Sequence, residues 1–234
     1  MNFFMWAVVP CKKLEFAKRR LAPILSAGER RCLVSAMLSD VLDVLTKISV
    51  LSGVAVISSD PNLADLARSF GVRCCMKDKN TGLLAALTLA SGLLSKDGAK
   101  GIVAIPGDLP LLAPDDIMRT LEAVAASPAV ALAPDRKTRG TNLLAMTLPG
   151  AIPYQFGGLS FRAHIAASRS RGIERVVIQS EGLGLDIDTA EDLILFARQP
   201  SPTRTFTFIA ESGIRERLLL ESTDVSMKVR AGAE

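Results

Sequence analysis

The sequence predicts an α/β fold, an open and mostly parallel sheet with helices on both faces. Three observations carry this. Short apolar runs rich in Val, Ile, Leu and Ala alternate with segments whose apolar residues recur at helical spacing. The strand-like runs are nearly continuous rather than alternating, as expected of parallel strands buried on both faces. The chemically able polar residues fall where strands end, the edge at which open α/β sheets bind ligands.

Met5–Val9 is the first predicted strand, and the loop behind it is basic, with Lys12, Lys13, Lys18, Arg19 and Arg20 close together. Ser26 and Glu29 have the spacing of a capping box. The helix they open carries Leu33, Met37, Val41, Leu45 and Ile48 on one face. Gly53–Ile57 is a second strand. Asp60 and Pro61 supply an N-cap and a proline at the first helical position, and Gly71 suits the stop. Val72–Met76 is a third strand, and Asn80 is the expected cap of a helix reaching about Leu94. Gly101–Ile105 is a fourth, ending in Pro106-Gly107-Asp108.

A helix with Ile117, Leu121 and Val124 on one face follows, then a fifth strand at Ala129–Ala133. There the rhythm changes. Asn142–Leu148 follows the polar loop Asp135–Gly140 with no helix between, so it is expected to enter the sheet antiparallel. Ser160–Arg171 reads as a helix, Val176–Gln179 and Gly184–Asp188 as strands, and Thr189 to Asp192 opens a helix to about Arg198. From Gln199 the texture shifts to Pro, Ser and Thr. The organisation expected is one domain over 1–198 with an appendage over 199–234, whose role is left open between covering an edge, self-association and lack of structure.

Composition excludes several classes. The 234 residues are 49% apolar and 22% charged, enough for a sizeable core. A net charge of +4 is mild for a nucleic-acid binder, and one Trp and one Tyr leave little for base stacking. The four cysteines, Cys11, Cys32, Cys74 and Cys75, show no metal-ligand spacing and suit a reducing compartment. The apolar start MNFFMWAVV lacks a basic lead, and Gly82 to Leu94 is too short to span a bilayer. A soluble cytoplasmic protein is expected, with neither nucleic acid nor membrane as partner.

Asp186 and Asp188 raise the sharpest question. On a strand, residues two apart share a face, so two carboxylates would lie side by side and repel. A hard divalent cation relieves that, and Asp108 is a third candidate at the end of the fourth strand. Spacing alone leaves the alternative of a solvated strand end. No Gly-rich phosphate loop follows the first strand. A bound nucleotide would therefore rest on side chains of the basic loop, Lys12, Lys18 and Arg20 above all, although such a run is also the mark of a solvated face. Ser160 and His164 share a helix face at i,i+4, but no strained nucleophile turn surrounds the serine. A lone histidine is more often structural.

Five segments in one order, VVPCKKLEFAKRRLAP, PGDLPLL, RGTNLLAM, FGGLSFRAH and LGLDIDTAEDL, resemble the guanylyltransferases that make the phospho-hydroxyacid part of the deazaflavin coenzyme F-420. The resemblance spans about residues 5 to 198. It implies a Rossmann-like sheet of the GT-A nucleotidyltransferase type in a single domain. It also implies transfer of GMP from GTP to 2-phospholactate, phosphoenolpyruvate or 3-phosphoglycerate. By the same resemblance Thr141, Gly157 and Ser160 hold the acid, and Lys12, Lys18, Arg20 and Gly82 the nucleotide. Asp108, Asp186 and Asp188 take magnesium, and Lys18 and Asp108 serve the transfer itself. A downstream transferase of the pathway and a second copy of the chain are the candidate protein partners.

Two positions depart from the family pattern. Leu84 stands where an asparagine usually faces the nucleoside, which keeps open a related transferase using another nucleotide and a sugar phosphate, or a non-catalytic nucleotide-binding protein. Leu159 stands where a glycine is usual, which is expected to narrow the acid pocket.

Overall fold

The computed structural model describes residues 4–76, 82–125, 129–147 and 150–220, so the expected helix cap Asn80 lies outside the described residues. Its strands are β1 (Met5–Pro10), β2 (Leu51–Ser58), β3 (Arg73–Met76), β4 (Gly101–Ala104), β5 (Ala129–Pro134), β6 (Thr141–Thr147) and β7 (Glu174–Val177). They form one sheet in the order β3-β2-β1-β4-β6-β5-β7. All run the same way except β6, which is antiparallel to both β4 and β5. The antiparallel strand expected after the polar loop is therefore present, and its reversal needs no crossover helix.

The helices are α1 (Ala27–Thr46), α2 (Pro61–Ser69), α3 (Leu83–Lys96), α4 (Pro114–Ala123), α5 (Ser160–Ser170), α6 (Glu181–Gly184), α7 (Ala190–Ala197) and α8 (Arg204–Glu211). Their starts follow local chemistry. Ser26 and Glu29 make the reciprocal capping box of α1, and Thr189 and Asp192 that of α7. Asp60 caps α2 by accepting the Asn62 N–H at 3.0 Å, and Gly71 takes the left-handed turn beyond that helix at φ 69°.

Strand side chains alternate between two cores. Ala7 and Val9 of β1 join the helices α1, α2 and α4 on one face, while Val8 joins α3 and the Ile152–Tyr154 segment on the other. A third cluster lies off the sheet. It unites Leu33 and Met37 of α1 with Leu185, Ile187, Phe196 of α7 and Ile209 of α8.

That third cluster corrects one expectation. Gly184–Asp188 is not a strand: Ser180 caps the single turn α6, accepting the Leu183 N–H at 3.0 Å, and the chain then runs as a loop. The alternation of Leu185 and Ile187 with the two aspartates is real. It reflects insertion of the apolar pair into the third cluster, not pairing in the sheet.

Packing also runs through the boundary drawn at residue 198. Helix α8 lies on α1, and Ile214 and Leu218 from a further helical stretch over 214–220 complete the third cluster. The Pro/Ser/Thr texture marks a short loop whose Thr203 caps α8 by accepting the Phe206 N–H at 3.1 Å. Asp40, buried in α1, accepts the Arg204 N–H at 2.8 Å, the Thr205 N–H at 2.9 Å and the Thr205 hydroxyl at 2.6 Å.

Asp40→Ala would strand those donors. It is expected to cost about 2 kcal/mol in urea unfolding and to speed amide exchange in α8 ahead of the sheet. Unchanged exchange across 204–211 would refute the clamp.

Candidate active site

The basic loop after β1 is two 3-10 turns, Leu14–Phe16 and Arg19–Leu21, and Lys18 between them adopts a left-handed conformation, φ 51° and ψ 41°. Few non-glycine residues accept that geometry, and here the loop is fixed from both ends. Asp60 accepts the Leu14 N–H at 2.8 Å with one oxygen while its other oxygen caps α2. At the far end the Lys18 side chain turns inward and is buried. Its ammonium donates to Asp108 in a short contact and to Asp188 at 2.6 Å. Asp108 follows β4, and Asp188 precedes α7. Their loops are tied by the Ile187 N–H donating to the Asp108 carbonyl at 3.2 Å.

Burial alone would strip the Lys18 proton, but the charges of Asp108 and then Asp188 overcome it and hold the ammonium well above the ordinary lysine range. Burial likewise works to raise Asp188, and Lys18, with Arg20 and Lys12 behind it, keeps that carboxyl below its usual range. Asp186 has no such cation. Burial, then the Asp108 charge, push it up to about 6, against a bond from the Asn142 amide at 3.0 Å.

One oxygen of Asp108, Oδ1, is buried with no hydrogen-bond partner among the described residues. Among the described residues no group of three or more His, Cys, Asp or Glu is gathered for one metal ion. Between Asp108 and Asp188 the partner observed is the Lys18 ammonium.

Two cavities of about 450 and 630 Å³ meet here, each within the usual size of a small-molecule site. They share Lys12, Arg20, Asp108, Thr141, Phe156 and Asp188 in their walls. The first continues past Lys18 along Phe16 and Arg19, whose guanidinium lies 4.8 Å above the Phe16 ring. The second continues past Asp186 to Gly157, Gly158 and Ser160. Lys12, Lys18, Arg20, Thr141, Gly157, Ser160 and the three aspartates are thus brought together. Gly82 is not: it is the N-cap of α3, and neither it nor Leu84 lines either cavity. Leu159 is 58% exposed and absent from both walls, so the narrowing expected of it does not occur.

The second cavity is organised by backbone. Asp135 accepts the Arg139 and Gly140 N–H groups at 2.8 Å each, and a side chain on Gly140 would come within 2.9 Å of that carboxylate. The Phe161 N–H donates to the Arg139 carbonyl at 3.1 Å, which sets the start of α5 against this turn. Helix α5 has no side-chain cap; the Gly157 and Arg139 carbonyls accept its Ser160 and Phe161 N–H groups, so it is the helix dipole that favours negative charge beside Ser160.

Sequence reasoning missed two contributors. Asp60 was legible as a helix cap and as a polar residue at a strand end; its bond to Leu14, 46 positions away in the chain, leaves no local signal. His164 is fully buried, with Nδ1 3.0 Å from the Thr141 hydroxyl and Nε2 accepting the Gln155 N–H at 3.0 Å. The structural role expected of a lone histidine fits this burial; the Thr141 and Gln155 contacts leave no local signal.

Comparison with known proteins bears on this arrangement. The family described as "guanylyl transferase CofC like" matches residues 5–229. The chain is 36% identical to the phosphoenolpyruvate guanylyltransferase of Rubrobacter xylanophilus, over 81% of this chain and 91% of that one. It is 35% identical to the 2-phospho-L-lactate guanylyltransferase of Methanothermobacter thermautotrophicus (80% and 81%), and 33% to the 3-phospho-D-glycerate guanylyltransferase of Phenylobacterium zucineum (86% and 93%). A solved structure from Desulfovibrio desulfuricans shares the fold at TM-score 0.76 and 15% identity, covering 92% of this chain and 98% of that one. Among the described residues no helix is long and apolar enough to cross a membrane.

The buried histidine makes a pH test. Burial pushes His164 from the ordinary 6.5 down to about 4, so the folded ring stays neutral while the unfolded one takes a proton. Its contribution is fully present above about pH 6.5 and is lost as pH falls towards the folded value, roughly 3 kcal/mol across the window. The unfolding free energy of the wild type, relative to His164→Asn, is expected to fall by that amount between pH 7 and 4. A constant difference would refute it.

Proposed function

The chain belongs to the CofC-like guanylyl transferase family, and on that premise we propose that it joins GMP from GTP to a small phosphorylated acid in coenzyme F-420 biosynthesis. Phosphoenolpyruvate, 2-phospholactate and 3-phosphoglycerate are the acids that its relatives' names give. Each carries a phosphate and a carboxylate on a three-carbon frame. The observation that supports the reading most directly is the Lys18 ammonium fixed between Asp108 and Asp188 where two cavities meet.

In the proposed reaction a phosphate oxygen of the acid forms a bond to the α-phosphorus of GTP as the bond to pyrophosphate breaks. The phosphate is already ionised, so no protein nucleophile is needed; the protein supplies alignment and charge. The first cavity, walled by the basic loop, suits the triphosphate, and Lys12, Lys18 and Arg20 would neutralise its oxygens. The second suits the acid. Thr141 and Ser160 line it, and Lys12, Arg20, Arg136, Lys137 and Arg139 bring positive charge to its walls.

The donor set also fits magnesium. It is all oxygen, and the buried Asp108 Oδ1 lacks any partner among the described residues. One or two carboxylates with phosphate and water are the ion's usual company, so a ready three-carboxylate cage is not required. Asp108, Asp186 and Asp188 would hold it. When bound, it supplies neutralisation of phosphate charge at the junction. A cytoplasmic location belongs to the same reading.

Purified protein, magnesium and each of the three acids should release pyrophosphate with GTP faster than with CTP, UTP or ATP. Asp188→Asn should lower kcat/KM by about 100-fold or more while the circular dichroism spectrum is kept. Absence of pyrophosphate with all three acids would overturn the reading.

A further inference from the structure

We infer that His164 is a positioning residue that aims the Thr141 hydroxyl proton into the acid cavity. The inference rests on the functional reading above for the identity of the ligand, and on geometry alone for the aim itself.

One group beside the ring has no choice of role. The Gln155 backbone N–H can only donate, and it meets His164 Nε2 at 3.0 Å. Nε2 must therefore accept, and a neutral imidazole then carries its proton on Nδ1. The ring is fully buried, which keeps it neutral. Nδ1–H faces the Thr141 oxygen at 3.0 Å, so Thr141 accepts there. A hydroxyl that accepts from one side keeps its own proton for another direction. Thr141 opens to both cavities, and an anion is the partner that such a donor serves best.

The ring has little freedom to do otherwise. Phe156 meets it edge-on, with centroids 5.3 Å apart, and α5 fixes its backbone. The same imidazole ties the segment entering Phe156, Gly157 and Gly158 to β6, so cavity wall and hydroxyl are set by one group. Were the tautomer reversed, Thr141 would have to donate to Nδ1 and would offer the substrate only lone pairs, which repel a carboxylate or phosphate.

Two measurements test this. Nitrogen NMR of the ring at neutral pH, made on the free protein, should show a protonated Nδ1 and a pyridine-like Nε2. His164→Gln keeps an acceptor near Nε2 but loses the Nδ1 donor. It should raise KM for the acid about 10-fold or more, the effect expected of one hydrogen bond to a charged group, with KM for GTP unchanged. His164→Asn, which keeps a donor near Nδ1, should recover most of that loss. In a Thr141→Val background His164→Gln should add nothing further.

An Nε2-protonated or cationic ring would overturn the inference, as would parallel rises in both KM values. A protein that shows the Nδ1–H signature but turns over none of the acids would sink the functional reading and leave the aim of the hydroxyl established.

Discussion

One ammonium holds the active end of the sheet together. Lys18 reaches Asp108 and Asp188, 90 and 170 positions away in the chain, and so joins the loop after β1, the loop after β4 and the entry to α7. Removing a partner from such a buried set leaves charge without compensation, which costs several kcal/mol. The left-handed backbone of Lys18, the Asp60 tie on Leu14 and the Ile187 bond to the Asp108 carbonyl all serve that meeting point. Both cavities exist because these three loops converge without collapsing onto one another.

The acids around the site divide by what their oxygens do. Asp60, Asp135 and Asp192 accept backbone N–H groups from two or more positions, and Asp116 accepts the Ala113 N–H while pairing with Arg119. These are struts. Gly182 shows how tightly one is fitted, since a Cβ there would lie 2.3 Å from the Leu111 carbonyl oxygen and 2.9 Å from Asp116. Asp108, Asp186 and Asp188 keep oxygen capacity towards the cavities, and they are the three named by the sequence motifs PGDLPLL and LDIDT.

Most of the fold was legible because local chemistry and tertiary packing agree. The caps of α1, α2 and α7 lie in sequence beside the helices they start, and the strands are apolar because both sheet faces are covered. The Asp186–Asp188 segment misled because alternation reports burial of every second residue, whichever surface does the burying. The docking of α8 was hidden for a related reason: its anchor, Asp40, sits 164 positions upstream in a helix that reads as self-sufficient. The residues that line the two cavities were named through motif order rather than through spacing. Asp60 and His164 both accept backbone N–H groups, which any residue supplies and no pattern records.

The reversal of β6 has a bearing on how such a protein changes its substrate. Because β6 runs against its neighbours, its first residue, Thr141, lies at the carboxyl edge of β5. In most sheets of this kind that edge is furnished by loops, which drift and lengthen freely. Here part of the second cavity is the start of a strand: Thr141 pairs with Pro134 of β5 just past a register shift, and the same strand pairs with β4 from Leu144 on, so an insertion would disturb the register with both neighbours. Freedom to reshape this cavity is thereby left to the Phe156–Ser160 turn and the loop 135–140, which the Asp135 carboxylate and the Arg139 carbonyl frame.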